Sequence, residues 1–306
     1  MPNSKTWGLA ILALIVLTLI WSCNWVVAKS VLLYVGALDF AALRCALGAL
    51  LLLILLPLSG RSLKPPPWRP VLWIGLLQTV GMTGLSQLAL TAGGAGKTAV
   101  LVYTMPFWTI LLAAWFLNEK QRALQYVATA IAALGLLLVL QPWQWQGTLL
   151  SSVLAVISGA SWAAASVVAK RAFRYQAVDL LSLVAWQMAI GATVLSALAF
   201  ATHKTPIIWS PTMLAALAFN AVLATALCWA LWLFILRTLP TGVAGLSTLM
   251  IPVLSVMWAW WLLNEKPDHA EGSGMVLILL ALALIGAPET WRMLKQRFYG
   301  RKKQNT

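Results

Sequence analysis

The sequence predicts an all-α membrane protein of ten transmembrane helices, arranged as two inverted-topology five-helix repeats. Three observations carry that fold class. Apolar residues make up 61% of the 306 positions and charged residues 9%, well outside the range of soluble domains. Apolar runs about 20 residues long recur from end to end, the length a helix needs to cross hydrocarbon. Two landmarks also occur twice, in the same order. Pro106 precedes Leu117-Asn118-Glu119-Lys120 as Pro252 precedes Leu263-Asn264-Glu265-Lys266, with a Trp (Trp115, Trp261) two residues before each Leu. The offset is 146 residues throughout. Trp21 leads to Val26-Val27-Ala28-Lys29 as Trp162 leads to Val167-Val168-Ala169-Lys170. Matched landmarks in one order mean an internal duplication of roughly 140 to 150 residues.

Taken in order, the spans of the first repeat are expected at residues 7–28, 38–57, 70–92, 97–117 and 122–140. Those of the second are expected at 147–168, 178–200, 211–236, 241–263 and 270–287. All should be helices, because an open backbone in lipid leaves its polar groups unsatisfied. The first repeat thus occupies residues 1–142 and the second 143–288, with a basic tail over 289–306. The first run is too long for a signal peptide and lacks a small-residue cleavage site, so it reads as a retained span. Lys64-Pro65-Pro66-Pro67-Trp68 reads as a stiff turn between the second and third spans. Gly93-Gly94-Ala95-Gly96 reads as a tight turn between the third and fourth.

Charge placement sets the orientation. With a cytoplasmic N-terminus, 16 Lys and Arg residues fall in cytoplasmic loops and the tail, and four (Lys29, Lys97, Lys204 and Lys266) fall outside. That bias places both termini in the cytoplasm. The net charge of +14 is therefore an orientation signal and a contact with anionic lipid, not a nucleic-acid footprint. Five spans per repeat force the second repeat to insert upside down relative to the first. Glu119 then ends the fourth span on the inner side and Glu265 ends the ninth on the outer side.

Ten spans in five-plus-five form resemble the drug/metabolite transporter superfamily, EamA type. So do a Pro followed about a dozen residues later by a Glu-bearing helix end in each half, and a first span rich in aromatics and Asn. The resemblance covers nearly the whole chain. It implies a secondary transporter of the inner (plasma) membrane, exporting amino acids or related small metabolites by alternating access. It leaves open a nucleotide-sugar, phosphorylated-metabolite or drug carrier of the same superfamily. Phosphorylated substrates would call for cations in the central spans, and only Arg44 comes close.

Several chemistries have nothing to work with. All seven acidic residues lie at or beyond span boundaries, and both His residues lie in loops. No mid-membrane acid–base pair, metal-ligand array or Walker A motif is present. No catalytic residue, metal or cofactor is expected, and the partners are a small-molecule substrate and the lipid bilayer. Cys23, Cys45 and Cys228 stand far apart in apolar runs and read as packing residues. A membrane-embedded enzyme or a purely structural helical protein is accordingly disfavoured.

The substrate candidates are uncharged. Inversion pairs the first span with the sixth, the third with the eighth and the fourth with the ninth, and a midplane site is expected between them. Its lining is expected to include Asn24, Gln78, Tyr103, Trp162, Asn220 and Trp229. Gln78, Thr79, Thr83, Ser86 and Gln87 form a polar stripe on the third span, which should face protein or a water-filled cavity. Pro106 and Pro252 are expected to interrupt their helices and free carbonyls. Arg44 is expected as a polar anchor near the outer surface or at the outer mouth, with Gln187 near the equivalent position of the second repeat. Glu119 and Glu265 are expected to tie helix ends to neighbouring loops.

Overall fold

In the computed structural model, every regular element among the described residues is helical. The structure describes residues 4–117, 123–141, 149–175, 178–203, 206–229, 231, 234–235 and 241–284. Helix α1 runs Ser4–Ser30 and α2 Ala37–Leu58. The third span is composite: α3 (Trp68–Ile74), a π-helical segment π1 (Gly75–Gly84) and α4 (Leu85–Ala92). The fourth is α5 (Ala95–Val102) and, after a break at Tyr103-Thr104, α6 (Met105–Phe116). Three unbroken helices follow: α7 (Ala123–Leu140), α8 (Leu149–Tyr175) and α9 (Leu180–Thr202). Helix α10 (Pro211–Ala218) passes into a second π-helical segment, π2 (Phe219–Leu227). Last come α11 (Thr241–Leu263) and α12 (His269–Leu284).

Seven of these spans are long and apolar enough to cross a membrane. Three further apolar helices, Pro211–Leu227, Met250–Leu263 and His269–Leu284, are shorter among the described residues. Among the described residues seven of the ten expected crossings appear at full length, and the other three fall where only these shorter apolar helices are seen. The outer surface is apolar: Trp115 is 80% and Phe200 89% exposed, which only a lipid surround makes tolerable.

Local chemistry sets several helix starts. Asp179 accepts the Ser182 N–H to cap α9, and Ser210 accepts the Met213 N–H to cap α10, with Pro211 in its first turn. Pro106 sits in the first turn of α6, where its missing N–H costs nothing. Pro252 behaves otherwise. It lies inside α11, which continues through it, so the expected interruption occurs in the fourth span and not in the ninth.

The two halves pack by exchange. Helix α2 lies along its counterpart α9; α1 packs on α11 as α8 packs on α5 and α6; π1 packs on α9 as π2 packs on α2. The exchange holds at single residues. A Cβ added to Gly191 would stand 2.3 Å from Thr79 Cβ, and one added to Gly48 would stand 2.6 Å from Thr225 Cγ2. Helices α7 and α12 meet glycine to glycine, where a Cβ on Gly135 or Gly274 would meet the other's carbonyl oxygen at 2.7 or 2.5 Å. Small residues permit this closeness, the packing mode that joins helices in lipid.

Candidate functional site: a central cavity between the halves

The two π segments widen the backbone at matched places in the two halves, and a cavity of about 110 Å³ lies between them. A π turn takes in one more residue than an α turn and so re-aims the side chains that follow, and such turns recur at functional sites. From π1 come Gln78, Thr79, Met82 and Thr83; from π2 and the residues just after it come Ala224, Thr225 and Trp229. Helix α1 adds Trp21, Asn24 and Trp25, α2 adds Arg44 and Cys45, and α9 adds Gln187 and Met188. Tyr103, at the break in the fourth span, and Trp162 of α8 close the wall. The carbonyls of π1 are not left bare. Ser161 Oγ donates to Leu77 O at 2.7 Å and Ser158 Oγ to Met82 O at 2.8 Å.

Two aromatic pairs bridge the halves. Trp21 meets Trp229 edge-on at 6.0 Å, and its indole N–H donates to Ala224 O at 2.9 Å. Tyr103 meets Trp162 edge-on at 5.8 Å. Trp21 and Trp162 are the two copies of one repeat landmark, so duplicated positions furnish facing walls. Edge-to-face pairing holds the rings at fixed angles and leaves other ring surface toward the open space.

The polar groups divide into satisfied and free. Thr79 Oγ1 donates to Gln187 Oε1 at 2.9 Å. Asn24 Oδ1 and Arg44 Nε are fully buried without a hydrogen-bond partner. Gln78 makes no side-chain hydrogen bond to a described residue. Arg44 is the single charged residue lining the cavity among the described residues.

Of the six residues expected to line a midplane site, Asn24, Gln78, Tyr103, Trp162 and Trp229 do so. Asn220 does not. It is fully buried in π2, its amide N–H donates back to Ala216 O at 3.1 Å, and its Oδ1 finds no partner. From the same segment Ala224 and Thr225 line the cavity instead. The polar stripe of the third span also splits: Gln87 leaves the cavity to donate to Ala28 O, and Ser86 to donate to Thr83 O. Arg44 stands in the cavity wall.

Comparison with known proteins bears directly on a helical chain with such a cavity. The model of the EamA-like transporter family matches residues 8–141 and again 149–287. The chain belongs to the EamA-like transporter family. It is 27% identical over 231 residues to the uncharacterized transporter YoaV of Bacillus subtilis, covering 74% of this chain and 78% of that one. Over 163 residues, 52% of each chain, it is 31% identical to the uncharacterized inner membrane transporter YedA of Escherichia coli K12. A solved crystal structure, 19% identical, superposes with a TM-score of 0.63 over 91% of this chain and 96% of that chain.

In this EamA-like transporter the duplicated Leu-Asn-Glu-Lys element has a legible mechanical part in its second copy. Asn264 takes a left-handed backbone (φ +55°) just past α11, a conformation Asn tolerates at helix ends. The turn returns Glu265 to the start of α5, where its Oε2 accepts the Ala95 N–H at 2.6 Å. The positive end of α5 therefore holds an anion supplied by the chain itself. Lys29 joins the same corner by donating to Leu90 O at 2.6 Å and Gly93 O at 2.9 Å. Burial pushes the Glu265 carboxyl up, against the opposing pull of the Ala95 and Gly96 N–H groups and Lys29. The glycine turn is so close that a Cβ on Gly94 would meet Glu265 Oε2 at 2.8 Å. Lys97 pairs with Glu271, and Gln141 Nε2 donates to both oxygens of Asp268. Glu119, in the first copy, lies outside the described residues. Elsewhere Arg61 pairs with Asp179, and His203 Nδ1 lies 3.0 Å from Asp39 Oδ1.

Proposed function

We propose that this EamA-like transporter exports amino acids or related small metabolites by alternating access, with the central cavity as its substrate site. The reading rests on one observation above others: aromatic and uncharged polar residues from both halves converge on one cavity between them. Asn24, Gln78, Tyr103, Trp162 and Trp229 are its binding residues in this reading. Glu265, Glu119, Pro106 and Pro252 serve gating or structural ends. The halves are residues 1–142 and 143–288, ten helices in inverted five-helix repeats, with both termini cytoplasmic in an inner membrane.

Sidedness in the contacts supports the inversion. The ends of the first, third, fifth and ninth spans are tied together through Lys29, Gly93, Glu265, Gln141 and Asp268. The turns after the second and sixth spans meet separately, through Arg61 and Asp179. Arg44 as the single cavity cation among the described residues speaks against nucleotide sugars and other polyphosphates, which need several. Flux from proteoliposomes against an amino-acid panel, with and without a pH gradient, tests the reading. Saturable counterflow of at least one member is the expected outcome. Flux equal to that of empty liposomes for the whole panel would reject the substrate class.

A further inference from the structure

We propose that Arg44 binds the carboxylate of the carried molecule, so that the substrates are small monocarboxylates with an apolar or aromatic body, zwitterionic amino acids included, and organic cations are refused. This rests on the reading of the central cavity as the substrate site. The first support is the position itself. Arg44 and Gln187 occupy equivalent places on α2 and α9, and both line the cavity. The frames around them match, Thr79 against Gly191 and Thr225 against Gly48. Gln187 is satisfied within that frame by the Thr79 hydroxyl. Arg44 is not: its Nε is buried and unpartnered, and no described carboxylate pairs with it.

A neutral amide therefore suffices structurally at this position, while the first half carries a cation with no internal counter-charge. A buried charge is tolerated only when something pairs with it. Every acidic residue in the chain lies at or beyond a span end, so the pairing anion has to come from outside. The guanidinium fork matches a carboxylate in two parallel hydrogen bonds. One cation neutralises one negative charge, which sets the class at monocarboxylates. The remaining free acceptor, Asn24 Oδ1, and the indole faces of Trp21 and Trp162 offer an ammonium only neutral contacts. A zwitterion is thus accommodated by its carboxylate first. An amine without a carboxylate would meet Arg44 as a like charge, with no acid in the wall to offset it.

The test is binding to the full-length protein in lipid nanodiscs of four ligands that share one indole body: tryptophan, indole-3-propionate, tryptophanamide and tryptamine. The first two should bind at least about tenfold more tightly than the last two, the scale of one charge-assisted contact. Arg44→Gln should bring all four within about threefold of one another, and Arg44→Lys should keep part of the preference. The unliganded Arg44→Gln protein should melt no lower than the wild type, because no internal partner is lost; a purely structural anchor would instead melt lower. Equal binding of acid and amide, binding of the amine alone, binding of none of the four, or an undiminished preference in Arg44→Gln would overturn the assignment. Trp162→Ala separates this from the underlying reading. If it weakens all four ligands while acid and amide bind alike, the cavity stands and only the role of Arg44 falls. If it leaves every affinity unchanged, the cavity reading itself falls.

Discussion

Glu265 spans the distance between what single residues announce and what they do. The repeated Leu-Asn-Glu-Lys marks it in the sequence, and its partner is a backbone N–H at the start of α5, 170 positions away. No local pattern encodes such a pairing, so the residue was legible and its target was not. Removing the cap in Glu265→Ala should destabilise the protein by about 0.5–2 kcal/mol, the usual cost of losing a side-chain acceptor at a helix start. Glu265→Gln, which keeps an acceptor, should recover most of this; melting temperatures of the three proteins check it. The pH dependence has a definite sign. The folded carboxyl is raised above its ordinary 4.5, so the stabilisation from the proton it holds is complete below that value. It is lost as pH climbs through the raised value. Relative to Glu265→Gln, the wild type should lose stability as pH rises from 4.5 through the weakly acidic range. An identical pH profile for the two would refute this. Arg44 makes the complementary case: the sequence marks it as the one cation within a span, but only its neighbours on α9 and π2 reveal it as cavity wall.

Elements were legible where periodicity or punctuation encodes them, and less so where backbone geometry departs from it. The long apolar runs locate the spans within a few residues, and Pro106 locates the start of α6. Neither π segment has a residue signature, since wide turns arise from packing and not from propensity. Their matched placement in the third and eighth spans became visible only in three dimensions. Asn220 was expected at the cavity and is instead buried early in π2, bonded back to Ala216 O. Pro252 misled differently: its copy Pro106 stands just after a break, whereas α11 passes through Pro252 unbroken. The glycines that let π1 and π2 lie against α9 and α2 give a direct test. Gly191→Val and Gly48→Val each force a side chain into Thr79 or Thr225, a clash that should cost about 1–3 kcal/mol. Both should lower the melting temperature more than a valine at Gly8, which has open space around it.

At the scale of the whole molecule, exchange between the halves organises everything else. Duplication made the two-repeat plan readable, because it is a property of the chain and needs no contacts. The cavity required the pairing of Trp21 with Trp229 and of Tyr103 with Trp162, and no spacing reports such pairings. If the halves are inverted, single cysteines at Gln121 and Asp268 in a Cys-free background should label from opposite faces of intact vesicles. Labelling of both from one side would break the two-fold plan. The most direct test concerns the cavity as the path of the substrate. Transport by Gln78→Ala, Tyr103→Ala and Trp145→Ala is to be ranked at matched expression in proteoliposomes. The first two should fall well below the third, each lost contact costing about 0.5–2 kcal/mol, the scale of polar contacts within membranes. Trp145→Ala, which the sequence places between the fifth and sixth expected spans, should stay near wild type. Near wild-type transport by Gln78→Ala and Tyr103→Ala, with Trp145→Ala the most impaired, would contradict the central cavity as the substrate site.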